Sequence, residues 1–137
     1  MAENNPGRTK ILAVTLLTSL NSNNLEILGY KDQYVNDLSD LVLLRARIAR
    51  EAGCQGIVCS GHEVGRIKRE FPDLIAVTPG IRPAWSLVAG DDQKRVVTPQ
   101  RAVTDGSDHI VIGRPIRDAK DPQDAAKKTA EEIAAAI

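Results

Sequence analysis

The sequence predicts an α/β fold in which parallel strands alternate with helices, and three observations carry that prediction. Short apolar runs at Ile11–Thr15, Gly56–Cys59, Leu74–Val77 and His109–Ile112 each give way to a helical pattern, and no hairpin signal joins one run to the next. Aromatic residues make up 3% of the chain, while Ala, Val, Ile and Leu supply most of the 42% apolar content, a mix suited to helices packed on aliphatic strands. A free four-stranded parallel sheet would leave two unpaired edges, and neither proline nor inward lysine protects the strands here. Four such units are also half of an eight-fold (β/α)8 barrel.

Residues 1–9 are polar and contain Pro6-Gly7, which predicts a flexible N-terminal segment ahead of a single unit over residues 10–137. Ile11–Thr15 has the continuous apolar character of a strand buried on both faces. Asn23 or Asn24 can cap a single helical turn through Leu28, stopped by Gly29. The longest helical pattern covers Gln33–Ala52, with Leu38, Leu41, Val42, Ile48, Ala49 and Ala52 on one stripe. Leu43 and Leu44 widen that stripe, which is read either as a contact with a further subunit or half, or as ordinary packing. A helix from about Glu63 to Glu70 follows the second strand. Thr98 as cap and Pro99 at the first position start another that ends near Gly106, and Asp121-Pro122 repeats the device for a last helix to Ile137.

Eighteen basic and eighteen acidic residues balance, so no global field draws the chain to nucleic acid or an anionic membrane. Cys54 and Cys59 have neither metal-ligand nor disulfide-framework spacing, and there is no signal-peptide core or membrane-length apolar run. These features predict a cytoplasmic protein with reduced thiols.

Any anion binding must then be local. Val77–Val97 breaks at Pro79-Gly80 and carries Arg82, Gln93, Lys94 and Arg95 on a segment too interrupted for helix or strand; it reads as a mobile cationic loop. Its partner is Ile112-Gly113-Arg114-Pro115. Glycine lets a ligand approach the backbone, N–H groups at a helix start favour an anion, and a guanidinium fork bonds two phosphate oxygens. Barrels of this type commonly hold phosphate after the seventh and eighth strands, so on the barrel reading these four strands are the fifth to eighth. Arg82 alone is equally a structural ion-pair residue in a proline-braced turn. Lys94 and Arg95 read as solvated charges, and Asp91 and Asp92 as turn formers, since carboxylates repel phosphate. Cys59, Ser60, His62 and Glu63 hold the groups of an activated thiol, but neighbours in sequence rarely converge in space and a strand cysteine is usually inert. His109, at the start of its strand, reads as structural, and Trp85 either covers a ligand or shields apolar surface.

In order and at suitable spacing, Ala13–Ser19, Gly56–Ser60, Val77–Pro83, Gly90–Arg95 and Ile112–Pro115 resemble the C-terminal half of bacterial orotidine 5′-phosphate decarboxylases. The resemblance runs from about residue 8 to the end. It implies the second half of a homodimeric TIM barrel that converts orotidine 5′-monophosphate to uridine 5′-monophosphate and carbon dioxide without metal or organic cofactor. By the same resemblance Thr18 contacts substrate near the pyrimidine, Arg82 and Gln93 belong to the loop closing over the nucleotide, and Gly113 and Arg114 hold the phosphate. The family's Asp-x-Lys-x-x-Asp signature is not matched. Asp118-Ala-Lys120-Asp121-Pro-Gln123-Asp124 comes nearest, with Gln123 where the second aspartate should stand, so no catalytic residue is assigned. These residues alone are expected to bind weakly and not turn over, and to need an N-terminal half-barrel as partner. The alternatives are a self-associating half-barrel that binds phosphate without chemistry, and another phosphate-handling barrel decarboxylase or epimerase.

Overall fold

A computed structural model describes residues 9–86 and 95–137. Four strands, β1 (Leu12–Val14), β2 (Gly56–Val58), β3 (Ile75–Thr78) and β4 (His109–Ile110), form one sheet in the order β1-β2-β3-β4. All three pairings are parallel. Each strand lies beside its successor in sequence, so the order never reverses as it does in a doubly wound sheet, and strands following one another round a barrel have this arrangement.

Register sorts the strand residues onto two faces. Ala13, Ile57 and Ala76 lie in one row, on the side of the core built with Leu25, Leu41, Val42, Ala46, Val64, Ile67 and Leu74. The alternate rows, Leu12-Gly56-Ile75 and Val14-Val58-Val77-His109, occupy the other face. There Leu12 is exposed and Val14 is 58% exposed. The expectation that Ile11–Thr15 is buried on both faces is therefore corrected. It forms an edge strand with one face uncovered, and a continuous apolar run does not say what lies opposite.

Gly56 marks a close approach in the sheet. A Cβ there would lie 2.5 Å from the Ile75 carbonyl oxygen and 2.6 Å from Leu12 Cδ2. Gly56→Ala is expected to destabilise the chain by about 1–3 kcal/mol, as overpacking does. Urea denaturation measures it, and an unchanged midpoint would contradict the tight β1-β2-β3 packing.

The helices start where polar caps permit. α1 (Ser22–Ile27) is capped by Asn21, whose side chain accepts from Asn24 N at 3.1 Å while Asn24 Oδ1 accepts from Asn21 N at 3.0 Å. The cap is thus two residues earlier than Asn23, because the reciprocal box satisfies two otherwise orphan donors. The helix expected over Gln33–Ala52 is two, α2 (Asp32–Asn36) and α3 (Leu38–Glu51). Asp37 between them is extended and caps α3 by accepting from Ser39 N at 2.8 Å. Of the predicted stripe, Leu41, Val42 and Ala49 are buried, but Ile48 and Ala52 are exposed, and Leu43 and Ala46 are buried in their place.

α4 (Val64–Glu70) and α5 (Pro99–Thr104) flank β3, and Thr98 caps α5 as expected, its side chain accepting from Arg101 N. α6 (Arg114–Arg117) is a single turn, and α7 (Pro122–Ala134) starts at Asp121, which accepts from Gln123 N and Asp124 N. Asp108 ties β4 to β3: it accepts from Ala76 N at 2.7 Å and from Lys68 Nζ at 2.8 Å. Burial pushes its carboxyl up, but these two donors outweigh it and hold it below the usual aspartate value. That contribution is present above the ordinary aspartate range and is lost as pH falls.

Candidate functional site

The carboxyl ends of β1, β3 and β4 open into a cavity of about 310 Å3. Its walls are Thr18 after β1, Pro79, Gly80 and Arg82 after β3, and Val111, Gly113, Arg114 and Arg117 after β4. Four of the five residues singled out in the sequence, Thr18, Arg82, Gly113 and Arg114, therefore face one space. The fifth, Gln93, lies outside the described residues, as do Asp91, Asp92 and Lys94.

Local structure explains each placement. Gly80 takes φ 76°, which turns the chain sharply after β3 where a side-chain-bearing residue would be strained. Beyond it Ile81 forms a parallel bridge with Val97, and Arg82 N donates to Val97 O at 3.0 Å. The Arg82 side chain is only 6% exposed and donates from one terminal nitrogen to Ile81 O at 3.0 Å. Gly113 lines the cavity, and a Cβ there would meet nothing within 4 Å. Arg114 begins α6, and Arg117, three residues on, shares its side of the turn.

Sequence reading missed Arg117, although that three-residue spacing was available to find it. Its guanidinium forks onto Asp118, at 2.5 Å and 2.8 Å. That hydrogen bond holds the Asp118 carboxyl below its ordinary value. The near-match to a catalytic motif is thus accounted for structurally, with Asp118 paired to Arg117, Asp121 capping α7 and Asp124 2.7 Å from Lys128.

The reading of Arg95 as a solvated charge is corrected. It is 8% exposed, and its terminal nitrogens donate to Glu63 Oε1 at 2.6 Å, Leu16 O at 3.3 Å and Leu17 O at 3.1 Å. Glu63 is 3% exposed and also accepts from the Ser60 hydroxyl. A cation at the end of a polar run looks solvated until the acid 32 residues upstream folds beneath it.

This pairing also decides the thiol question. Burial, reinforced by the Glu63 charge and opposed by Arg95, pushes the Cys59 thiol up to about 12. Ser60 and Glu63 are engaged with each other, and His62 is exposed, so the four residues form no activated nucleophile. Cys59 is expected to resist iodoacetamide at neutral pH while the less buried Cys54 reacts; equal labelling of the folded chain would contradict it. The unfolded Cys59 thiol ionises near 9.0 and the folded one only near 12, so stability is full below the first value and falls as pH rises between them.

Chemically, the cavity offers guanidinium, hydroxyl and backbone groups to an anion. Among the described residues its walls hold no carboxylate, imidazole or thiol to move a proton. No group of three or more His, Cys, Asp or Glu among the described residues could hold a metal ion, and no helix among them is long and apolar enough to cross a membrane. Trp85 is exposed, in a single 3-10 turn over Ala84–Ser86.

A family model described as orotidine 5′-phosphate decarboxylase / HUMPS family matches residues 1–129. The orotidine 5′-phosphate decarboxylase of Desulfosudis oleivorans is 45% identical over 132 residues, covering 96% of this chain and 53% of its own length. That of Methylococcus capsulatus is 48% identical over 133 residues with the same coverage. The chain therefore spans about half the length of the curated relatives it matches. The crystal structure of orotidine 5′-phosphate decarboxylase from Lactobacillus acidophilus superposes with a TM-score of 0.70 at 35% identity, covering 90% of this chain and 49% of that one. A decarboxylase structure from Sulfolobus solfataricus, at 21% identity and a TM-score of 0.59, shares the fold. With four parallel strands and flanking helices corresponding to half of such a barrel, the chain belongs to the orotidine 5′-phosphate decarboxylase / HUMPS family.

Proposed function

We propose that this chain is the second half, strands five to eight, of an orotidine 5′-phosphate decarboxylase, and that it carries the phosphate and pyrimidine contacts of the site. The observation that supports this best is the meeting of Thr18, Arg82, Gly113 and Arg114 around one cavity at the carboxyl ends of the strands. Arg82 and Arg114 supply charge for a phosphate dianion, Gly113 lets it approach the backbone, and Thr18 offers a hydroxyl toward the base. Gln93, which lies outside the described residues, is the further nucleotide contact that the family resemblance implies. Among the described residues these walls hold no donor for the proton that replaces the lost carboxylate, and we assign that chemistry to groups from a further half-barrel.

Mixing the chain with the first half of the Desulfosudis oleivorans enzyme and following loss of orotidine 5′-monophosphate absorbance tests the assignment. Turnover is expected in the mixture and not with the chain alone. Turnover by the chain alone overturns it. A competing sugar phosphate that displaces uridine 5′-monophosphate at equal concentration would favour another phosphate-handling barrel.

The uncovered apolar face of β1 supports a second reading, in which the chain self-associates and binds phosphate without catalysis. Two copies could then pair β4 with β1 into an eight-stranded assembly. Sedimentation across a concentration series separates a closed dimer from a monomer.

A further inference from the structure

We infer that Arg95, held in place by Glu63, is a positioning residue that fixes Thr18 at the cavity wall. The inference rests on the proposed function only for the ligand that Thr18 meets. Arg95 joins three strand exits: it stands two residues before Val97, which bridges the segment after β3, and it binds the acid that follows β2 and two carbonyls that follow β1. Those carbonyls belong to Leu16 and Leu17, the two residues immediately before Thr18.

Packing holds the chain as far as Leu16, which is buried in the core, but not at Leu17. The Leu17 side chain is 59% exposed, so the backbone there is fixed by polar contacts instead. Leu17 O accepts from Arg95 and also from Leu20 N at 3.1 Å, closing a turn around Thr18. The clamp is stiff because its far end is also tied: Glu63 Oε1 takes Arg95, Glu63 Oε2 takes the Ser60 hydroxyl, and Ser60 Oγ accepts from His62 N at 3.3 Å.

The arrangement is not one that stability alone would select. A buried ion pair is often no more stabilising than apolar residues of similar volume, and Arg95 Nε is left buried with no hydrogen-bond partner. An arginine that leaves a donor unmet while two carbonyls beside the cavity are bound has a geometric role.

The double variant Glu63→Leu/Arg95→Met separates the two roles, because it removes both charges together and should keep the fold while freeing Leu16 O and Leu17 O. A purely structural pair predicts that restoring stability restores affinity for uridine 5′-monophosphate. Positioning predicts a stable fold with affinity down about tenfold, the loss of one typical hydrogen bond. It also predicts that adding Thr18→Ala to the double variant causes no further loss. Full affinity in the stable double variant, or losses that simply add, overturns the inference.

Amide relaxation at Thr18 without ligand is the independent arm. The order parameter should fall in the double variant from roughly 0.85 toward 0.6. An unchanged value overturns the inference even if binding changes. If the unsubstituted chain does not bind uridine 5′-monophosphate, the nucleotide reading fails, while Thr18 order still decides the positioning role.

Discussion

Replacing Arg114 by alanine is expected to lower affinity for uridine 5′-monophosphate by roughly 10- to 150-fold, the equivalent of one charge-assisted hydrogen bond of about 1.5–3 kcal/mol. The residue lines the cavity yet is exposed, so its loss should leave the thermal midpoint nearly unchanged. Arg82 sits in the same cavity but is buried, and its removal would confound binding with folding. Arg114→Lys keeps the charge and loses the planar fork, which should give an intermediate loss. Calorimetric titration of the assembled enzyme makes the comparison. Unaltered affinity in Arg114→Ala would remove the phosphate from this rim.

The second large effect is on stability. Glu63→Ala leaves the Arg95 guanidinium buried without its counter-charge, and breaking such a pair costs about 3–5 kcal/mol. Removing both partners in favour of apolar residues should recover most of it, since neither charge is then left buried without its partner. Urea denaturation of the single and double variants measures both quantities. A single variant as stable as the parent would mean that water reaches Arg95 and that the pair is not buried.

Much of the fold was legible because it is local. Four aliphatic runs, the Thr98-Pro99 and Asp121-Pro122 starts, and Gly29 and Gly106 at helix ends all appear where the chain places them. Harder to read were features set by residues far apart. Asp37 looks like one more polar position in a long helix, yet its side chain accepts from Ser39 N, starts a new helix and meets Arg66 from α4. Arg95 looks solvated because its partners lie 32 and 78 or more positions away. The Leu12 face looks buried because hydropathy records what a residue prefers, not whether a neighbour is there to satisfy it.

The cavity was legible for a different reason. Arg82, Gly113 and Arg114 follow the last two strands, Thr18 is named by the family resemblance, and parallel strands in sequential order bring all their exits to one end. Arg117 escaped because it sits inside the short turn after β4 rather than at its start.

The cavity and the uncovered apolar face of β1 are physically separate on this scaffold. The cavity occupies the rim at one end of the sheet, whereas the valine row Val14-Val58-Val77, exposed at Val14 and half-buried beyond it, runs across its breadth. Under the proposed function, substitutions in that row would retune what the sheet adheres to without altering anion coordination, and rim substitutions would change the ligand without altering adhesion. Selection can therefore act on the two properties one at a time.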